Sequence, residues 1–280
     1  MEYIIFGNGV KIPVVGLGTF PLHGETLNNT LNMAIQLGYN YFDTAHLYKN
    51  EAEIGHIIKD LNKQNIIISS KICATQYLGN KRYLNLNRQS VKTAFSKSCK
   101  QLGVKRLSIY LLHSCFHNFE KAYQELIDLY QAGNIDVIGV SNANITHLKQ
   151  IYKKCGVYPM IVQVEIHPYC NRRELVEFCN ENGITIIAHS PFAHGDAMGE
   201  LLSNIELQKI AQLHNKTIAQ IILRWIIQQG MIVIPRSTNY MRLKDNINIF
   251  DFNLSDAEMR IIDSLNRDQS YGVRSANDLE

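Results

Sequence analysis

Eight times between residues 15 and 234, a short run of β-branched and apolar residues gives way to a longer segment with helical spacing. The strand candidates are 15–18, 41–43, 66–71, 107–112, 135–140, 161–165, 185–189 and 231–234. Most are continuous apolar runs, the pattern of strands covered on both faces. Between them, residues 26–37 repeat Leu27, Leu31, Ala34 and Ile35 on one helical face, and 51–61 repeat Ile54, Ile57, Ile58 and Leu61. Residues 119–132 repeat Ala122, Leu126 and Leu129, and Gly133 supplies a stop signal. Gly38, Gly103, Gly156, Gly183 and Gly230 fall where further helices would end. Eight such alternations predict an α/β fold of the (β/α)8 TIM-barrel type.

A doubly wound sheet is the rival, but it needs a glycine-rich turn after its first strand. Here Gly16-Leu17-Gly18 is followed by Thr19, Phe20 and Pro21, with proline against the third glycine. Residues 3–6 and 11–14, around Gly7-Asn8-Gly9, predict a short N-terminal β-hairpin ahead of the barrel. No linker or low-complexity tract interrupts the chain, so residues 1–280 are expected to form a single domain.

Composition narrows the function. Hydrophobic residues make up 46% and charged residues 19%, which excludes a disordered chain. The net charge of +3 comes from scattered lysines and arginines, so neither nucleic-acid nor membrane-surface binding is expected. No apolar stretch approaches the roughly 18 residues of a membrane helix. The N-terminal residues lack the basic start and long apolar run of a signal peptide. The six cysteines contain no CxxC pair, as expected of free thiols in a reducing, cytoplasmic compartment. The expected protein is a monomer.

In a parallel barrel, chemistry gathers at the C-terminal ends of the strands. Strand two ends in Asp43 and runs on through His46 to Tyr48; strand three ends in Ser69-Ser70-Lys71, and strand four in His113-Ser114. Strand five ends in Ser141-Asn142, and strand six carries Gln163, Glu165 and His167. Strand seven ends in His189-Ser190, and strand eight in Pro235-Arg236-Ser237. One polar strand end is ordinarily a helix cap. Seven on one rim, with Asp, Tyr, Lys and His among them, point to proton-transfer chemistry on a small molecule.

The stretch Gly38-Tyr39-Asn40-Tyr41-Phe42-Asp43-Thr44-Ala45-His46-Leu47-Tyr48-Lys49-Asn50-Glu51 resembles the first signature of the aldo-keto reductases. Ser70-Lys71, Leu111-Leu112-His113, Gly139-Val140-Ser141-Asn142, Gln163 through Tyr169, and Ile234-Pro235-Arg236-Ser237 through Asn246 resemble further blocks of that family, in order. The resemblance spans nearly the whole chain. It implies a barrel reducing aldehydes, ketones or dicarbonyls with NADPH, and a catalytic tetrad of Asp43, Tyr48, Lys71 and His113. Tyr48 would be the general acid, Lys71 would lower its pKa, Asp43 would hold Lys71, and His113 would donate to the carbonyl oxygen. The resemblance puts Ser141, Asn142 and Gln163 on the nicotinamide carboxamide, with His189 and Ser190 beside the ring. It puts Arg236, Ser237, Thr238 and Arg242 on the 2′-phosphate and Asn246 near the adenine.

The departures are equally specific. Arg236 stands where the family usually has Lys. His189 stands where a Tyr commonly stacks on the nicotinamide; its smaller ring, charged below neutral pH, predicts weaker cofactor binding. Cys73 and Ser114 replace bulky aromatics, leaving Phe20 as one wall of a substrate pocket expected to be roomy and broad in its aldehydes. The tail after Leu265 is short. Residues around Tyr77 and Tyr83 predict a loop over the rim, and Trp225 a place in the core.

Two other readings stay open. A non-catalytic NADP(H)-binding barrel, acting as a redox sensor or regulatory subunit, would bind cofactor without turnover. A metal-dependent hydrolase would draw on His113, Cys115 and His117, but strand one lacks the His-x-His to complete it, so no metal is expected.

Overall fold

The apolar runs form strands because both their faces find cover, from helices outside and from side chains within. The structure, a computed structural model, describes residues 1–60, 65–72, 75–78, 81–84, 88–115 and 119–271, the side chains of 60, 75–78 and 81–84 excepted. Strands β1 (Tyr3–Ile5) and β2 (Lys11–Pro13) make the expected antiparallel hairpin, Ile4 opposite Ile12. The barrel then begins with β3 (Leu17–Gly18), α1 (Gly24–Gln36), β4 (Tyr41–Asp43), a 3₁₀ turn at His46–Tyr48, α2 (Glu51–Asp60) and β5 (Ile67–Ile72).

Next come β6 (Thr75–Leu78) and β7 (Lys81–Leu84), then α3 (Arg88–Leu102), β8 (Leu107–Leu112), α4 (Phe119–Gln131) and β9 (Ile135–Ser141). The chain continues through α5 (Ile145–Cys155), β10 (Ile161–Glu165), α6 (Arg173–Glu181), β11 (Thr185–His189) and three helices, α7 (Gly195–Leu202), α8 (Ile205–His214) and α9 (Ile218–Gln228). It closes with β12 (Ile232–Val233), α10 (Tyr240–Ile247) and α11 (Asp256–Asp263). The pair β6–β7 is an antiparallel hairpin, in place of the loop expected around Tyr77 and Tyr83.

Eight strands run parallel in the order β3-β4-β5-β8-β9-β10-β11-β12. A parallel bridge between Val15 and Val233 joins the two ends of this sheet. Its bonds run from Gly16 N to the Val233 carbonyl (2.9 Å) and from Val233 N to the Val14 carbonyl (2.8 Å). The structure is thus the (β/α)8 barrel expected from the strand pattern.

Two apolar clusters hold it together. Tyr41, Ile109, Leu111, Val137, Ile161, Ile187 and Ile232 fill the interior, with Ile12 and Phe6 from the hairpin side packed among them. This is the layered filling that makes such a barrel a packed core and not a pore. The larger cluster lies between sheet and helices and includes Trp225, whose Nε1 donates to Asp263 Oδ1 at 2.8 Å. Close packing also explains one glycine: a Cβ on Gly139 would lie 2.1 Å from the Ile161 carbonyl oxygen of the neighbouring strand. No helix among the described residues is long and apolar enough to cross a membrane.

Candidate active site

β4 ends at Asp43, whose side chain turns into the interior and is 2% exposed. Register places Asp43 beside Ser69 on β5, two residues before Lys71. The Lys71 ammonium, fully buried, donates to Asp43 Oδ2 at 2.6 Å and to the Thr44 carbonyl at 2.9 Å. Asp43 Oδ1 accepts from Ser69 Oγ at 2.6 Å and from Gln163 Nε2 at 2.9 Å. A buried carboxylate so paired and hydrogen-bonded has its charge compensated.

The turn at His46–Tyr48 lifts the Tyr48 ring over this pair, with Lys71 Nζ 5.1 Å from its centroid. Burial pushes the Tyr48 phenol above the ordinary phenol range, the Lys71 charge opposes that rise and the Asp43 charge adds to it. The net direction is upward, so Lys71 moderates the phenol pKa without bringing it below its usual value. Burial pulls the Lys71 pKa down, but the Asp43 and Tyr48 contacts outweigh it, raise the pKa above the ordinary lysine value and hold the ammonium charged.

His113 follows β8, its backbone N–H extending the ladder to the Ile72 carbonyl at 2.8 Å. Its ring meets Tyr48 edge-on, centroids 5.7 Å apart. Burial, then the Lys71 and His189 charges, push its pKa down to about 3, so the ring is neutral. His113 Nδ1 is buried without a hydrogen-bond partner. An orphaned lone pair is tolerated better than an orphaned N–H, so the proton belongs on Nε2.

These groups surround one cavity of about 230 Å³ at the C-terminal mouth of the barrel. Asp43, Tyr48 and His113 line it together with Ser141, Asn142, Gln163, His189, Ser190, Arg236 and Phe20. Phe20 packs its ring 4.9 Å from that of Tyr48 and is 57% exposed, forming an outer wall. Ser114 is not among the lining residues, and Cys73 lies outside the described residues, as does His117. Ser237 and Thr238 precede α10, Arg242 and Asn246 lie within it, and none of the four is among the residues lining the cavity. Arg236 and Arg242 are exposed, without a carboxylate partner among the described residues, while Asn246 is buried.

His189 differs from the expectation that it charges below neutral pH. Burial pushes its pKa down to about 4 despite the nearby Glu165 carboxylate, so it stays neutral well below pH 6. Its Nε2 lies 3.3 Å from Asn142 Oδ1 and its Nδ1 2.9 Å from Ser190 Oγ, which is itself 2.7 Å from His194 Nε2.

Sequence reading missed the part that several residues play. Ser69 was visible as a strand end but not as the hydrogen-bond donor to Asp43. Pro191 to His194 and Met198, after β11, line the cavity but carry no strand-end signal. Glu165 was visible but not its use: it accepts from His167 Nε2 (3.1 Å), from Tyr271 N (2.9 Å) and from Ser270 Oγ, tying the C-terminal segment to the rim. Those bonds hold its carboxyl down at about 2 against the opposing effect of burial, which is the largest single influence. Among the described residues no group of three His, Cys, Asp or Glu converges as a metal site.

Comparison with known proteins gives the family of the chain. The sequence model of the Aldo/keto reductase family matches residues 14–267. The 9,11-endoperoxide prostaglandin H2 reductase of Trypanosoma cruzi (strain CL Brener) is 36% identical over 269 residues, covering 95% of this chain and 92% of that protein. The glyoxal reductase of Bacillus subtilis (strain 168) is 37% identical over 269 residues, covering 95% and 93%. A variant of Gox0644, solved in complex with NADPH, superposes with a TM-score of 0.88 at 30% identity, covering 99% of this chain and 97% of that one. Agreement over this much of the sequence, on the same closed barrel, makes the chain a member of the aldo/keto reductase family.

Proposed function

We propose that this protein reduces aldehydes, ketones or dicarbonyl compounds to alcohols, with NADPH as hydride donor and Tyr48 as general acid. The observation that carries the reading is the buried Asp43–Lys71 pair beneath the Tyr48 ring, with a neutral His113 beside it. NADPH, when bound, supplies the hydride; the residues of the chain supply the proton and the binding.

The side chains facing the cavity suit such a cofactor. Gln163 spends one donor on Asp43 and keeps its Oε1 to accept from a carboxamide NH₂. Ser141 donates to the Gln163 carbonyl at 3.1 Å and keeps lone pairs. Asn142 donates one Nδ2–H to the His113 carbonyl at 3.1 Å and keeps the other. Arg236, Ser237, Thr238 and Arg242 would hold a 2′-phosphate, with Asn246 toward the adenine. Asn239 caps α10 there by accepting from Arg242 N at 3.1 Å, and a helix N-terminus of this kind favours an anion.

In the reaction, a carbonyl oxygen sits between the Tyr48 hydroxyl and His113 Nε2–H. Negative charge grows on that oxygen as hydride reaches carbon, and both donors strengthen as it does. Tyr48 then gives its proton, and the charged Lys71 stabilises the phenolate left behind. Asp43 keeps Lys71 charged and aimed. Phe20 shields one side of the carbonyl from water. The relative named glyoxal reductase supports the substrate class, and the NADPH-bound neighbour supports the cofactor.

The test is consumption of NADPH with a panel of aldehydes, ketones and dicarbonyls. Turnover on at least one class supports the reading; NADPH binding with no turnover on any of them contradicts it.

A further inference from the structure

We propose that His189 is a positioning residue that fixes the side-chain amide of Asn142 through its ring Nε2–H, and so sets the carboxamide end of the cofactor site. The inference rests on the cofactor reading above.

The direction of every hydrogen bond in this cluster follows from one carbonyl group. The His113 carbonyl can only accept, so the Asn142 atom 3.1 Å from it is the NH₂ nitrogen. The other end of that amide, Oδ1, therefore faces His189 Nε2 at 3.3 Å and accepts from it. His189 is neutral, so with its proton on Nε2 its Nδ1 offers a lone pair. The Ser190 hydroxyl donates to that lone pair at 2.9 Å and accepts in turn from His194 Nε2–H at 2.7 Å. The result is one directed chain from His194 through Ser190, His189 and Asn142 to the backbone beside His113.

The backbone supports the chain at both joints. Asn142 and Ser190 both adopt left-handed conformations, with φ of 55° and 53°. Non-glycine residues keep such torsions where surrounding contacts over-determine them. With both ring nitrogens engaged in the plane of the ring, His189 can offer only its faces to a nicotinamide. An aromatic ring without nitrogens could offer the same faces but could not hold Asn142. The role thus differs from stacking and can be separated from it.

Two measurements decide it. The first is ¹⁵N NMR of the His189 ring in the unliganded protein, which is independent of activity. The Nε2–H tautomer is expected, with a shift toward mixed tautomers in Ser190→Ala; a dominant Nδ1–H tautomer would overturn the proposal. The second is a double-mutant cycle on the NADPH dissociation constant, read by protein fluorescence with His189→Phe and Asn142→Ala. His189→Phe should weaken binding about 3- to 10-fold when Asn142 is present and by less than about twofold when it is absent. An equal effect of His189→Phe in both backgrounds, including no loss in either, would show that His189 does not act through Asn142 and would also overturn the proposal. Absence of any NADPH binding by the unmodified protein would instead refute the cofactor reading, leaving the tautomer result to judge the His189–Asn142 bond.

Discussion

Lys71 Nζ lies 2.6 Å from Asp43 Oδ2 at the floor of the barrel mouth, and both side chains are sealed from water. Burying two charges is tolerable only because each meets further partners: Thr44 for the ammonium, Ser69 and Gln163 for the carboxylate. The pair is arranged for the ring above it. A buried ion pair adds little net stability over an apolar equivalent, but losing one partner is costly.

Lys71→Met should therefore lower unfolding stability by about 3–5 kcal/mol, since Asp43 is left charged in the interior. Asp43→Asn should cost a similar amount. Urea denaturation of the double variant should show a loss well below the sum of the two. A strictly additive double variant would contradict the coupling.

Arg236 and Arg242 should determine the preference for NADPH over NADH. Replacing Arg236 with Ala should weaken NADPH binding about 10- to 100-fold, the worth of a charge-assisted hydrogen bond, and leave NADH nearly unchanged. Equal losses for the two cofactors would place the 2′-phosphate elsewhere.

Stability should fall as the pH drops from neutral. His113 and His189 titrate at about 3 and about 4 in the folded protein, against 6.5 as the ordinary value. The unfolded chain therefore binds more protons between pH 6.5 and about 4.5, and stability drops as pH falls through that window. His147 and His194 are shifted the same way by burial and add to the slope. Urea midpoints measured from pH 7 to 4.5 should decline steadily, and less steeply in His189→Gln. A flat profile would contradict the burial of neutral histidines.

Most of this architecture was legible because strands covered on both faces leave unbroken apolar runs. Tyr41–Asp43, Leu107–Leu112, Ile161–Glu165 and Thr185–His189 lie where the residue pattern put them. The hairpin Thr75–Leu78 with Lys81–Leu84 escaped because its polar, glycine-containing sequence reads as loop. Helices α7 and α8 escaped because they are short and lie between two strands where a barrel ordinarily has one helix.

At the site, the rim residues were legible from strand ends alone, but their mutual bonds were not. Gln163 reaches Asp43 across 120 positions, and His189 reaches Asn142 across 47. Such links depend on strand register, which no local pattern encodes. The neutrality of His189 is likewise a property of burial, invisible before the cavity is built.

The tight approach of β9 to β10 gives a separate check on the barrel. A methyl group on Gly139 would collide with the Ile161 carbonyl, a backbone atom that cannot swing aside. Gly139→Ala should cost about 3 kcal/mol, at the upper end for overpacking, and lower the melting temperature by several degrees. An unchanged melting temperature would mean that these strands are spaced differently.

The most direct test of the account follows NADPH absorbance at neutral pH with a reactive dicarbonyl, for the unmodified protein beside Tyr48→Phe. The account predicts a loss of about 10²–10⁴-fold in kcat for Tyr48→Phe, with the NADPH dissociation constant changed by no more than about twofold. Turnover by Tyr48→Phe at close to the unmodified rate would contradict Tyr48 as the proton donor.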